Sequence, residues 1–309
     1  MHITITEVAP RDGLQSEKRF ISTDHKLRLI EAIFASGIRS VEITSFVAPA
    51  AVPQMADASK VMTAIAKPPG AIASALTPNL RGAHGAITAG ADEVVVFASA
   101  SATHNQKNLN RSIDESIFNI EQIAVLASQH GVRVRAAIST AFGCPFEGDV
   151  PVQHVVDIAK AFSRMGIRHI SLADTTGMAT PRIVHEVVEA VKEAVVDARL
   201  ALHFHNTRGL GLVNVAAGLE LGIDEYESSL GGVGGCPFAP GATGNVCTED
   251  LVHFLHEMGH TTGVDLDSLV SAAHLLEEAL GRPLPGQVMR AGKRLQLHDP
   301  NAAPVARAR

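Results

Sequence analysis

The stretch VVDIAKAFSRMG (155–166), followed at once by HISLADT (169–175), decides the fold. Val155, Ile158, Ala159, Phe162 and Met165 recur at helical spacing and share one apolar face. Gly166 supplies the backbone freedom that closes a helix. A β-branched run then begins, which is the signature of a strand. A helix that leads straight into a strand is half of a repeating β/α unit. The question is how many such units the chain holds.

Working outward, strand patterns fall at ITITEV (3–8), SVEITSF (40–46), AIASALT (71–77), EVVVFAS (93–99), RVRAAIST (133–140), RLALHFH (199–205) and DEYESSL (224–230). Helix-length segments lie between them. Gly37, Gly90, Gly131 and Gly222 end helices just before strands, and Thr23 is the expected N-cap of the helix starting near Asp24. Together with 169–175 this makes eight strands, each followed by a helix. The pattern predicts an α/β fold, a (β/α)8 TIM barrel. A doubly wound open sheet has the same local pattern, but no Gly-rich dinucleotide loop follows the first strand. Residues 1–264 are expected to form the catalytic barrel. Residues 265–309 are expected to form a C-terminal helical extension and tail packed on the same domain, with the basic end APVARAR disordered.

The composition narrows the function. Apolar residues make up 46% of the 309, enough for a large core, and the net charge is −6. An acidic chain without Trp and with one Tyr lacks the basic face and stacking platforms of a nucleic-acid binder. No apolar run approaches the ~20 residues of a membrane span, and MHITITEVAPRDG begins in a strand pattern rather than a targeting signal. Cys144, Cys236 and Cys247 form neither a disulfide framework nor a zinc knuckle. A cytoplasmic enzyme without nucleic-acid or membrane partners is the expectation.

In such barrels the chemistry sits after the C-terminal ends of the strands. Arg11, Asp12 and Gln15 follow strand one, and Glu42 lies in strand two. Asp174 ends strand six, and His203 and His205 end strand seven on one face. Cys236 and Asn245 follow strand eight, in a loop with five glycines between 231 and 241. The two histidines are either a hydrogen-bonded core pair or ligands. Asp12 and Asn245 are either turn residues or part of the same site, and Arg11 is either a surface ion pair or a catalytic cation. The Gly-rich loop is either a connector or a lid with a reactive side chain. Two imidazoles, a carboxylate and an amide converging on one mouth do not suit structural zinc. They suit octahedral Mg²⁺ or Mn²⁺ with places left for substrate oxygens. A metal-binding or regulatory module without catalysis is the alternative from another class.

EVAPRDGLQSE, SVEITSFV with VPQMAD, FGCPFEGD, LADTTGMATP, HFHNTRG and GGVGGCPFAPGATGNVCTEDLV occur in this order. Together, over about Ile3 to Leu280, they resemble the 3-hydroxy-3-methylglutaryl-CoA lyase family. The resemblance implies a metal-dependent carbon–carbon lyase acting on an acyl-CoA thioester and releasing acetoacetate and acetyl-CoA. It implies Asp12, His203, His205 and Asn245 as ligands of Mg²⁺ or Mn²⁺. Arg11 would steady the enolate oxygen, Cys236 would protonate the carbanion, and Glu42 would orient the centre. Asp12 or His203 would serve as base, with Gln15 and Asp174 near the acyl group. A homodimer or higher homo-oligomer is expected. HFHNTRG departs from the family's more familiar His-x-His-Asp-Thr-Tyr-Gly at Asn206 and Arg208. Arg208 could meet a substrate carboxylate or an acidic neighbour. Another branched 3-hydroxyacyl-CoA, such as citramalyl-CoA, is the alternative substrate, and a condensing acyltransferase is a more distant one. Glu249 and Asp250, just after Asn245, either buttress the ligand shell or cap the following helix, and capping is the expectation.

Overall fold

The computed structural model describes residues 1–235 and 244–297. Eight parallel strands close into a barrel in sequence order: β1 (Thr4–Glu7), β2 (Ser40–Ser45), β3 (Ile72–Leu76), β4 (Glu93–Ser99), β5 (Arg133–Ser139), β6 (His169–Asp174), β7 (Arg199–Phe204) and β8 (Glu225–Ser228). Each lies inside its expected stretch. β8 pairs with β1 from Thr4 against Glu225 to Glu7 against Ser228, so no sheet edge is left open.

The outer layer contains α1 (Thr23–Ala35), α2 (Ala58–Ala64), α3 (Leu80–Thr88), α4 (Ala102–Leu109), α5 (Ile113–Gln129), α6 (Val152–Arg164), α7 (Pro181–Ala194) and α8 (Gly211–Glu220). α9 (Thr248–Glu257), α10 (Leu266–Leu280) and α11 (Val288–Ala291) follow β8. In α6 the face read from the sequence is the buried one, with Val155, Ile158, Ala159 and Phe162 all in the core. Met165 is the helix cap, and Gly166 follows it with φ +83°. The N-cap of α1 is Ser22 rather than Thr23. Ser22 has the extended backbone (ψ 154°) that lets its side chain meet His25 N, whereas the Thr23 hydroxyl is drawn off to Asp57, 2.8 Å away. α10 packs on α1 and α9. Among the described residues no helix is long and apolar enough to cross a membrane.

Charged groups also lie at the N-terminal end of the barrel. His169 sits between Glu93 (3.5 Å) and Glu225 (3.0 Å), both buried. Burial disfavours the imidazolium, but its hydrogen bonds to Glu225 and Glu93 outweigh it and raise the His169 pKa to about 9. A folded pKa above the unfolded value stabilises the fold at low pH. That stabilisation is complete below the unfolded value of about 6.5 and is lost as pH rises through about 9. His169→Gln is therefore expected to destabilise the protein by about 1–3 kcal/mol at pH 6 and by little at pH 10. Urea titrations of both proteins at the two pH values measure this. A difference independent of pH would remove the ion-pair account.

Candidate metal and active site

After β1 the chain makes a tight π-helical turn, Ala9–Gly13, in which the amides of Arg11, Asp12 and Gly13 all point at the Val8 carbonyl (2.7–3.3 Å). Gly13 is required there, because a Cβ would lie 2.4 Å from Val233 Cγ2. The turn lifts Arg11 and Asp12 to the mouth of the barrel. β7 brings His203 and His205 to the same place, with ring centroids 5.2 Å apart. Asn245 arrives by a different route. The chain returning from 244 bridges His205 through Asn245 and Ser229 through Cys247, between the ends of β7 and β8.

Potential ligand atoms of Asp12, His203 and His205 lie within 4.8 Å of one another. Asn245 Nδ2 donates to Asp12 Oδ2 (2.7 Å) and to the Val233 carbonyl (3.1 Å). Asn245 Oδ1 is buried and has no hydrogen-bond partner among the described residues. A buried acceptor left open beside a carboxylate and two imidazoles fits an electropositive occupant. The N and O donors, with no thiolate among them, fit a hard divalent cation.

Arg11 Nη1 donates to Asp12 Oδ1 (2.6 Å), as does Gln15 Nε2 (2.8 Å). Arg11 Nε donates to Glu42 Oε1. Burial pushes the Asp12 carboxyl up, but Arg11, His203 and His205 outweigh it and hold its pKa below the ordinary value. His203 is also buried, which favours the neutral ring. A hydrogen bond from its Nδ1 to Glu227 Oε2 (3.0 Å) and the charge of Glu227 raise its pKa instead.

Asp174 Oδ1 accepts the amides of Met178 (2.7 Å) and Ala179 (3.0 Å), which shapes the loop after β6. Its Oδ2 is buried without a hydrogen-bond partner among the described residues. Burial lifts this acid to about 6. Arg208 Nη1 donates to the carbonyls of Thr176 (3.1 Å) and Gly177 (2.8 Å). Its partners are thus backbone oxygens rather than an acidic side chain. Cys236 lies outside the described residues, as does the basic tail.

Glu249 and Asp250 stand in the first turn of α9, where acidic side chains suit the helix N-terminus, and their carboxylates also reach amides outside the helix. Glu249 accepts the Gly231 amide (3.0 Å), and Asp250 accepts the amides of Gln287 and Val288 (2.7–3.0 Å). These contacts tie the start of α9 to the loop after β8 and to the chain entering α11.

Three buried groups were missed from the sequence. Glu7 accepts from the amides of Ala9 (2.7 Å) and Leu230 (2.8 Å) and from the Thr248 hydroxyl (2.6 Å), joining the loops after β1 and β8 to α9. Burial raises its pKa to about 8. Arg135 and Glu227 stand inside the barrel below the mouth. The available signal was charge at alternate positions within strand patterns, in RVR (133–135) and EYE (225–227).

The fold and this cluster define a (β/α)8 barrel with a candidate divalent-cation site at the C-terminal ends of its strands. A family model described as HMGL-like matches residues 2–276, and the chain belongs to that divalent-metal-dependent lyase family. The chain is 43% identical over 291 residues to the hydroxymethylglutaryl-CoA lyase YngG of Bacillus subtilis (strain 168), covering 94% of this chain and 97% of that one. It is 43% identical over 289 residues to the mitochondrial hydroxymethylglutaryl-CoA lyase of Homo sapiens, covering 94% and 89%. An HMG-CoA lyase from Acinetobacter baumannii, solved in complex with coenzyme A and 3-methylmalate, superposes with a TM-score of 0.93 at 42% identity, covering 96% and 97%.

Proposed function

We propose that this protein is a hydroxymethylglutaryl-CoA lyase, splitting 3-hydroxy-3-methylglutaryl-CoA into acetoacetate and acetyl-CoA. Its full-length relatives with that activity support the reading. The observation that carries it is the gathering of Asp12, His203, His205 and the open Asn245 Oδ1 beside Arg11. These are the groups a retro-aldol cleavage of a tertiary alcohol needs.

Asp12, His203, His205 and Asn245 would hold the divalent cation, Mg²⁺ or Mn²⁺. When bound, such a cation lowers the pKa of the substrate hydroxyl and fixes its geometry. Asp12 or His203 takes the hydroxyl proton. The C2–C3 bond then breaks, leaving acetoacetate and passing its electron pair to the thioester α-carbon as an enolate. Arg11 stands where the enolate oxygen gathers charge, with Glu42 holding its Nε edge and Gln15 steadying Asp12. Cys236 supplies the proton that completes acetyl-CoA. Asp174 Oδ2 is buried without a hydrogen-bond partner among the described residues and would meet the acyl group, and Arg208 would act on substrate through the loop it holds. A cytoplasmic setting and a homo-oligomer belong to the same proposal. The first is supported by Cys144 and Cys247, which are buried free thiols.

The decisive assay mixes purified protein, Mg²⁺ or Mn²⁺ and each thioester, and measures acetyl-CoA release. A kcat/KM more than about 10-fold higher for 3-hydroxy-3-methylglutaryl-CoA than for citramalyl-CoA is expected, roughly 1.4 kcal/mol in transition-state binding. The reverse preference would reassign the substrate. His205→Ala should weaken Mn²⁺ binding by on the order of 10-fold or more, because a direct ligand is lost. Unchanged Mn²⁺ affinity in that variant would remove His205 from the ligand set.

A further inference from the structure

Beneath the mouth a closed ring of side chains runs through the barrel. Starting at Asp12, Oδ1 accepts from Arg11 Nη1 (2.6 Å), and Arg11 Nε donates to Glu42 Oε1. Glu42 Oε2 accepts from Arg135 Nη2 (3.1 Å), whose Nη1 donates to Glu227 Oε1 (2.9 Å). Glu227 Oε2 meets His203 Nδ1 at 3.0 Å. A ligand nitrogen of His203 lies within 4.8 Å of a carboxylate oxygen of Asp12, which closes the ring. Arg135 has no exposed surface, Glu42 is 1% exposed and Glu227 7%. Five of these links join residues carried on different strands or loops.

We propose that Glu227, clamped by Arg135, is a positioning residue that holds His203 in the tautomer and ring orientation needed to bind the cation. The inference rests on the reading that Asp12, His203 and His205 hold a divalent cation. A carboxylate accepts hydrogen bonds and donates none, so its partner nitrogen must carry the proton. With Nδ1–H committed to Glu227, only Nε2 keeps a lone pair, and it goes to the cation, so of the two candidate bases Asp12 is the one left to take the hydroxyl proton. The contact also prevents rotation of the ring about its Cβ–Cγ bond. Glu227 has little freedom to move, because Arg135 grips its other oxygen. Arg135 grips Glu42 with the same guanidinium, and Glu42 holds Arg11. One buried arginine therefore sets the position of both the ligand His203 and the enolate-binding Arg11. Outer partners of this kind typically change metal affinity or activity by about 10- to 100-fold.

The test uses the full chain stripped of metal. Mn²⁺ is titrated in while free Mn²⁺ is followed by its EPR signal. Glu227→Gln, nearly the same size, should weaken Mn²⁺ binding by about 10- to 100-fold with a much smaller change in KM for the thioester. Glu227→Asp should restore part of the affinity. Arg135→Lys should weaken Mn²⁺ binding too, and the double variant should lose less than the sum, because both changes act through one contact. A folded Glu227→Gln protein with Mn²⁺ affinity within about 2-fold of the parent would overturn the proposal, since a merely structural glutamate lowers stability and leaves affinity alone. The parent itself gives a second readout that needs no variant to fold. Long-range ¹⁵N–¹H spectra of histidine-labelled, metal-free protein should show His203 protonated at Nδ1 and free at Nε2 above the ring's pKa. The opposite tautomer would overturn the proposal. A parent that bound no Mn²⁺ would remove the metal site, and the same spectra would still decide whether Glu227 governs His203.

Discussion

Arg11→Met is expected to lower kcat by about 10²–10³-fold, roughly 3–4 kcal/mol of transition-state stabilisation. Negative charge builds on the thioester oxygen only as the carbon–carbon bond breaks, so a cation there acts on the rate more than on ground-state binding. The guanidinium is already in place. Nε is committed to Glu42 and Nη1 to Asp12, and no reorganisation is needed when charge develops. The same contacts bring a folding cost that the sequence did not suggest. Removing Arg11 leaves Glu42, 1% exposed, with Arg135 as its remaining cation. Breaking a buried pair costs about 3–5 kcal/mol when no partner is left. With Arg135 still present, a loss of about 1–3 kcal/mol is expected for Arg11→Met. Steady-state kinetics on the folded protein, with a urea titration alongside, separate the two effects. Near-normal kcat in a destabilised variant would make Arg11 a structural ion pair.

Cys236→Ala is expected to abolish most cleavage, by about 10²–10⁴-fold in kcat, while Mn²⁺ binding stays near that of the parent. A thiol with an ordinary pKa of about 8.5 is mostly protonated at neutral pH and can give its proton to a carbanion. The described residues on either side of Cys236 lie against the candidate cation site. A Cβ on Gly234 would stand 2.6 Å from Asn245 Nδ2 and 3.3 Å from the Asp12 carbonyl. At the other end, the Gly244 carbonyl accepts the amide of Asn206 at 3.1 Å. The chain thus leaves the site two residues before Cys236 and returns to it at Gly244. Cys144 and Cys247 are both buried, and burial raises the Cys247 pKa well above its ordinary value. Alkylation should therefore inactivate through Cys236, and a substrate analogue should protect it. Normal turnover by Cys236→Ala would assign the proton to another donor.

The strand stretches were legible because their signals are local. A helical apolar face such as that of α6, a left-handed glycine such as Gly166, and a β-branched run each depend on neighbours within a turn or two. Repeated eight times, they leave few folds besides a barrel. Asp12, His203 and His205 were legible for a related reason, since a barrel places the residues after its strands on one rim. The α1 cap was misread because Ser22 and Thr23 are both good capping residues, and only the position of Asp57 decides between them.

The sequence by itself determined the β/α alternation, the closure it implies and the residues carried to the rim. Only the tertiary structure decided what stands beneath that rim. Arg135 and Glu227 are 92 residues apart, and Arg135 and Glu42 are 93 apart. In a single strand, a charge at every second position looks the same whether that face meets water or the inside of a barrel. When the barrel closes, one face becomes an interior where charge is costly unless paired. Pairing Arg135 with Glu42 and Glu227 meets that demand, and it places a carboxylate behind His203 that no local pattern could reveal.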